Sequence, residues 1–221
     1  MRLHAVHQGS GRPIVFIHGM GTSAASWEAV SDLLADRFHT VAIDLLGHGR
    51  SPVPDDRSLY TRDQALGQID ELLGELDEPA ILVGHSLGGY LALAHIATRP
   101  GVARGVVVLN TGPGFRDPEK REGWNERSRR NAHRFGVPEH VVDLNLQHDS
   151  VVMDRLAEIE TPTLVLAGGD DRPEYQGSGQ YLERKMPHAS FRLVEGGGHS
   201  MHEDTHAAEV ADIIADFAAA L

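Results

Sequence analysis

The sequence predicts an α/β fold in which a doubly wound, mostly parallel sheet carries a small helical cap. Short apolar runs of strand length alternate with helical stretches along the chain, and this alternation favours right-handed crossovers between parallel strands. Glycine-bearing loops follow several of the runs, as expected where strands end. The length of 221 residues suits one domain. We therefore predict a core formed by residues 1–111 and 161–221, and a cap at residues 112–160.

The first half of the chain is expected to form four strands. Weak alternation predicts a strand at residues 2–8, and apolar runs predict strands at 14–17, 40–43 and 80–83. Helices are predicted at residues 26–34 and 61–76, because apolar side chains recur there at three- and four-residue spacing. A third helix follows residue 86 and ends before Pro100.

The second half continues the alternation around a less apolar insertion. The β-branched run at 105–109 predicts a buried strand, and residues 163–167 and 190–194 predict the last two strands. Residues 180–185 and 207–221 are expected to be helical, the latter with an amphipathic pattern. Within the cap, residues 143–147 and 151–159 predict short helices that return the chain to the sheet.

Composition and charge exclude several classes of protein. The formal net charge of −12 argues against nucleic acid and anionic membranes as partners. The chain has no cysteine, which excludes disulfides, thiolate catalysis and a metal held by cysteine. Residues 1–10 lack the apolar run of a signal peptide, and no stretch approaches the length of a membrane span. A cytoplasmic protein is the expectation.

The stretch 80–97 contains the most specific chemical pattern. Its residues Gly84-His85-Ser86-Leu87-Gly88 form a G-x-S-x-G sequence between a predicted strand and a predicted helix, which is the context of a nucleophile elbow. The turn is sharp, and the glycines leave the room that a Cβ would fill. Ser86 Oγ is expected at a helix N-terminus, where backbone N–H groups favour negative charge. The pattern predicts that Ser86 is a nucleophile.

The loops after the last two strands supply partners for Ser86. Asp171 and His199 follow it in chain order, as in triads where histidine is the general base and aspartate orients the imidazole. Parallel strands open onto one crevice, so these three residues can converge there. The backbone N–H groups of Met20, in the loop after the second strand, and of Leu87 are the expected oxyanion hole. A plain strand-to-helix turn is the alternative for the Met20 loop.

A second aspartate–histidine pair, Asp44 and His48, follows the third strand. Glycines and Pro52 surround this pair. We interpret the segment as a rigid loop in which Asp44 holds backbone N–H groups and Arg50 makes a local ion pair. A catalytic role for Asp44 and His48 is the alternative.

The predicted cap contains a run of basic residues that could attract an acidic substrate. Acidic residues interleave with this run, and the mixture favours a solvated helix face with salt bridges. The basic residues are Arg116, Lys120, Arg121, Arg127, Arg129, Arg130 and Arg134.

Histidines also cluster near the C-terminus. His202 and His206 are spaced to share a helix face, with His199, Glu203 and Asp204 nearby. A zinc site would need a further ligand and a second shell, and His199 already has a place in the triad. We therefore predict no metal and no cofactor.

Together these patterns resemble the α/β-hydrolase superfamily over nearly the whole chain. The matching segments are His18-Gly19-Met20-Gly21, residues 44–51, 84–89 and 168–171, and Gly198-His199. Members of the superfamily typically read G-x-x-D in the acid loop, which from Gly168 points to Asp171, with Asp170 as the alternative. This chain departs from the superfamily in a shortened leading hairpin and a short cap.

The resemblance implies hydrolysis of an ester or related small acyl substrate through an acyl-enzyme on Ser86. Carbon–carbon bond hydrolases, thioesterases, perhydrolases and lyases of the superfamily are compatible with the same residues. Haloalkane dehalogenases and epoxide hydrolases place a carboxylate at the nucleophile position, so Ser86 argues against both. The superfamily also includes ligand receptors on a hydrolase scaffold, which keeps a binding role open. A small-molecule acyl substrate is the expected partner, and no oligomeric state follows from the sequence.

Overall fold

The computed structural model describes residues 1–203 and 205–221. Within these residues seven strands form a single sheet. The strands are β1 (Ala5–Gln8), β2 (Pro13–Ile17), β3 (His39–Ile43), β4 (Ile81–His85), β5 (Gly105–Leu109), β6 (Thr163–Gly168) and β7 (Ala189–Val194). All residues of β2, β4, β5 and β6, four of the five inner strands, are buried, as expected for strands covered on both faces.

The sheet has the order β1-β3-β2-β4-β5-β6-β7. Edge strand β1 is antiparallel to β3, and the other neighbouring strands are parallel. This topology confirms the predicted fold class. The loops that follow β2, β4, β5, β6 and β7 lie at one edge of the sheet because these strands run in the same direction. The predicted site residues all lie at this edge.

Helices cover both faces of the sheet. The helices are α1 (Glu28–Leu34), α2 (Arg62–Leu73), α3 (Leu87–Thr98), α4 (Pro118–Arg130), α5 (Val151–Arg155), α6 (Pro173–Lys185) and α7 (Ala207–Ala219). On one face, α1 and α7 pack with Phe16 and Trp27 in one apolar cluster. On the other face, α2, α3 and α6 contribute Leu66, Leu91 and Leu182 to a second cluster.

Helix α6 begins at Pro173, well before the predicted start at residue 180. Proline suits the first helical position, where its missing N–H costs nothing. Two glycines, Gly177 and Gly179, weaken the helical pattern in the sequence. Gly179 is buried, and a Cβ there would overlap the Phe191 ring of β7. Close packing of helix against sheet therefore explains a glycine that the sequence pattern reads as a helix breaker.

Residues 112–160, all of which are described, fold into helical pieces. Helix α4 is followed by a 3-10 helix at Glu139–Asn145, which replaces the short helix predicted at 143–147, and then by α5. Val141, Leu144 and Val152 of this segment join the apolar cluster of α2 and α3. The cap boundaries at residues 112 and 160 stay a prediction. No helix in the described part of the chain is long and apolar enough to cross a membrane.

Candidate active site

Ser86 lies at the turn between β4 and α3 in a strained backbone conformation. Its φ is 50° and its ψ is −111°, values that L-residues rarely adopt. The neighbouring glycines permit the turn, because a Cβ at Gly84 would overlap the Gly88 carbonyl and a Cβ at Gly88 would overlap the Ile17 carbonyl. The Ser86 backbone is held on both sides: its N–H donates to the Leu109 carbonyl at 2.9 Å, and its carbonyl accepts from Thr111 Oγ1 at 2.7 Å.

Asp171 and His199 meet although they are far apart in sequence. Asp171 Oδ2 lies 2.7 Å from His199 Nδ1, and the Asp171 side chain is 5% exposed against 42% for His199. The other Asp171 oxygen accepts the Arg172 backbone N–H at 2.7 Å. Asp170, the alternative acid, is exposed, and no side-chain hydrogen bond joins it to a described residue. The carboxylate near the imidazole is therefore that of Asp171.

Ser86 and His199 line the same cavity, whose volume is about 280 Å³ and which also includes Met20. An adjoining cavity of about 320 Å³ is lined by Ser86 and Leu87. The structure thus brings the five predicted site residues to one place. Among the described residues no hydrogen bond joins the Ser86 hydroxyl to His199. Catalytic hydrogen bonds are often long in a site without substrate and tighten when substrate binds.

Asn110 connects the loop that contains Asp171 to the loop that contains His199, a role that the sequence pattern does not predict. It is fully buried with a φ of 48°. Its side-chain oxygen accepts the Gly168 N–H at 2.9 Å, and its Nδ2 donates to the carbonyls of Gly198 and His199 at 3.1 and 2.7 Å. An asparagine directly after a buried strand, where left-handed backbone is tolerated, is the signal that could have identified it.

Buried histidines lie behind the site, among them His85, His18 and His48. His85 donates from Nε2 to the His199 carbonyl at 2.9 Å. Burial lowers the pKa of His85 well below its ordinary value, and the nearby imidazoles act in the same direction. Burial, with His48 as the next cause, lowers the pKa of His18 to about 4, and burial also lowers the pKa of His48. These histidines are neutral at neutral pH, so they act as hydrogen-bonding and packing groups rather than as charges.

Asp44 accepts hydrogen bonds from backbone N–H groups, as predicted for an aspartate in a rigid loop. Its carboxylate accepts the N–H groups of Ala24 and Arg50 at 2.7 and 2.8 Å and a hydrogen bond from His4 at 2.9 Å. Burial would raise the pKa of Asp44, but these hydrogen bonds outweigh it and lower the pKa. The predicted ion pair of Arg50 is wrong: within the described chain its side chain has no acidic partner, and its backbone N–H makes the contact instead.

The basic run of the cap separates into two groups. Arg116 pairs with Asp154 and Arg129 with Glu122, which agrees with the predicted salt-bridged face. Arg127 instead lines both cavities at Ser86.

No group of three or more histidine, aspartate or glutamate side chains that could hold a metal occurs in residues 1–203 and 205–221. Asp204, which the sequence analysis placed near the C-terminal histidines, lies outside the described residues.

Comparison with known proteins agrees with the fold. The chain is 27% identical to an (E)-2-((N-methylformamido)methylene)succinate hydrolase of Acinetobacter baylyi, over 90% of this chain and 88% of that one. It is 36% identical to a pimeloyl-[acyl-carrier protein] methyl ester esterase of Methylococcus capsulatus, but that match covers 52% of this chain and only 43% of the esterase. The solved structure of MenH from S. aureus resembles it in fold, with a TM-score of 0.83, 19% identity and coverage of 98% and 97%.

The family assignment rests on most of the chain. Residues 14–213 match the family described as the Alpha/beta hydrolase family, a range that includes Met20, Ser86, Asp171 and His199. The resemblance inferred from the sequence is confirmed. The chain is an enzyme of the alpha/beta hydrolase family.

Proposed function

We propose that the protein is a serine hydrolase that cleaves small esters or related acyl substrates through an acyl-enzyme on Ser86. The observation that carries this proposal is the 2.7 Å contact between Asp171 and His199 beside a strained Ser86 in one cavity. An aspartate that accepts from Nδ1 fixes the imidazole tautomer, which leaves Nε2 free to accept a proton.

In the first half of the reaction, Ser86 Oγ attacks the acyl carbon while His199 Nε2 takes the hydroxyl proton. The substrate carbonyl oxygen becomes an oxyanion, which the N–H groups of Met20 and Leu87 stabilise. The tetrahedral intermediate collapses and breaks the bond to the leaving group, which receives the proton from His199. An ester between Ser86 and the acyl group remains.

The second half repeats these steps with water as the nucleophile. His199 takes a proton from the water as it attacks the acyl carbon, and a second oxyanion forms on the same N–H groups. Collapse breaks the ester to Ser86, returns the proton to Ser86 Oγ and releases the carboxylic acid. The names of the two aligned curated relatives, a hydrolase and a methyl ester esterase, support hydrolysis of this kind.

Covalent capture tests the proposal. A serine-directed fluorophosphonate should add to Ser86, as read by peptide mass spectrometry, and should abolish hydrolysis of 4-nitrophenyl butyrate. Ser86→Ala should fold normally and lose activity by about 10⁵-fold, since only oxyanion-hole catalysis would remain. An adduct on Ser178 or Ser200, which also line these cavities, would contradict the assignment. Saturable ester binding without turnover or adduct would instead indicate a ligand receptor.

A further inference from the structure

The two cavities beside Ser86 adjoin each other, because six residues line both, and together they are called the recess below. Shared residues are Ser86, Trp124, Arg127, Asn145, Arg172 and Tyr175. The two positively charged members come from different elements: Arg127 from helix α4 and Arg172 from the turn that precedes α6. Two guanidinium groups therefore border the space in which an acyl group on Ser86 would lie.

Arg127 and Arg172 form no ion pair with an acidic side chain of the described residues. By contrast, Arg62, Arg116 and Arg129 each have a carboxylate partner at 3.0 Å or less. Both arginines line the recess and are exposed residues. In a chain with a net charge of −12, two unpaired cations at the reaction site form a local exception to the overall charge.

The surroundings of the arginines agree with an anionic ligand. Glu174 is the one acidic residue of the described chain that lines the recess, and it pairs with neither arginine. Tyr175 lies against His199, with ring centroids 5.1 Å apart. Burial raises the pKa of Tyr175; the charges of Arg172 and Arg127 act against that rise, and the carboxylates of Asp171 and Glu174 add to it. Arg127, Arg172 and Tyr175 all line both cavities, so one molecule bound there would lie beside both arginines and beside the neighbour of His199.

We infer that the recess selects acyl substrates that carry a free carboxylate, such as half-esters of short dicarboxylic acids, with Arg127 and Arg172 as the carboxylate-binding pair. Guanidinium groups bind carboxylates through strong, charge-assisted hydrogen bonds. The carboxylate would hold the far end of the acyl group while Ser86 attacks the ester carbon. This inference rests on the proposed function for turnover, but the binding of the anion can be measured without it.

Two isosteric methyl esters test the selection. Monomethyl succinate carries a carboxylate where methyl 4-methylpentanoate carries an isopropyl group, and methanol release measures kcat/KM for both. The wild type should favour monomethyl succinate by at least about 10-fold, and Arg127→Gln and Arg172→Gln should each reduce that ratio by about 10-fold. Arg130→Gln, an exposed arginine of the same helix that does not line the recess, is the matched control and should leave the ratio unchanged.

Binding to an inactive variant separates this inference from the proposed function. Calorimetry of Ser86→Ala with monomethyl succinate should give a Kd that rises by about 10-fold when Arg127→Gln or Arg172→Gln is added. Equal affinity for the two esters, or affinity for monomethyl succinate that persists in the double arginine variant, would overturn the inference. If both esters are hydrolysed at similar rates and Ser86 is labelled, the proposed function stands and the carboxylate site is wrong. If monomethyl succinate binds through the arginines but no ester is cleaved, the carboxylate site stands and the proposed function is wrong.

Discussion

The loops at the carboxyl edge of the sheet and the segment 112–160 border the same recess, but different interactions hold them in place. The loops are joined by hydrogen bonds that buried side chains make to backbone atoms, and these side chains are Asn110, Thr111 and His85. The segment is tied to the core partly through ion pairs that contact solvent, such as Arg57 with Asp143 and Arg62 with Asp149.

This difference separates chemistry from recognition. Hydrogen bonds made by buried side chains to backbone atoms are weakly affected by salt and fix a geometry closely, as the proposed nucleophile and base require. Exposed ion pairs are weak and are screened by salt. We therefore expect substitutions of the hydrogen-bonding side chains in the loops to change kcat, and substitutions in the ion pairs of segment 112–160 to change mainly KM.

The largest effect is expected at Asp171, the proposed acid of the triad. Asp171→Asn should lower kcat by about 10⁴-fold, because an amide favours the wrong tautomer of His199. Asp170→Asn is the matched control: Asp170 is exposed, and its variant should keep full activity and thermal stability. Steady-state kinetics and thermal melting of both variants check the pair. A large kinetic loss in Asp170→Asn with an active Asp171→Asn would reverse the assignment.

Acid should destabilise the loop region through its neutral histidines. The pKa of His18 falls from its ordinary value of 6.5 to about 4 on folding, so below pH 6.5 the unfolded state binds a proton that the folded state excludes. The stability from this residue is complete above that pH and is lost as the pH falls toward 4, by about 3 kcal/mol in all. Urea unfolding across this range measures the loss. If the free energy of unfolding of His18→Gln depends on pH as steeply as that of the wild type, the loss does not come from His18.

The hydrogen bonds of Asn110, which join the loop of Asp171 to the loop of His199, give a third test. Asn110→Gly keeps the left-handed backbone but removes the three side-chain hydrogen bonds with the backbone of Gly168, Gly198 and His199. We expect kcat to fall by about 10- to 100-fold, equivalent to ~1–3 kcal/mol, with KM nearly unchanged because the recess keeps its lining. Kinetics well below the melting temperature check the prediction. A rise in KM at constant kcat would place Asn110 in binding rather than in positioning.

The smallest effect is expected at an ion pair of segment 112–160. Arg62 is 14% exposed and contacts both oxygens of the 47% exposed Asp149, at 2.6 and 2.9 Å. Arg62→Gln should raise KM a few-fold and lower the free energy of unfolding by about 1 kcal/mol. The difference from wild type should shrink in about 1 M NaCl. Arg2→Gln, which removes an exposed pair with Glu75, controls for surface charge, and an equal rise in its KM would argue against a specific tie.

The sequence predicted the fold and the elbow because both depend on local patterns. The apolar run before Ser86 and the glycines around it specify a strand, a sharp turn and a helix within a short stretch. Which residues of α4 face the recess could not be predicted in this way. That orientation depends on Trp124, which donates to the Asn145 carbonyl at 2.9 Å, and on Asn125, which binds the backbone of Gln147. These contacts join residues 21 and 22 positions apart, which lies beyond the reach of a local pattern.

The connection between β5 and β6 has a consequence for attempts to shorten the protein. These strands are adjacent and parallel, with Leu109 opposite Leu166, so residues 112–160 must carry the chain back from one edge of the sheet to the other. Parallel neighbours need a crossover of a dozen or more residues. The segment is thus a crossover connection that the sheet requires, so it cannot be removed as a whole. We expect deletions to be tolerated within α4 and its loops, whereas loss of α5, which packs along α3 through Val152, should prevent β6 from joining the sheet.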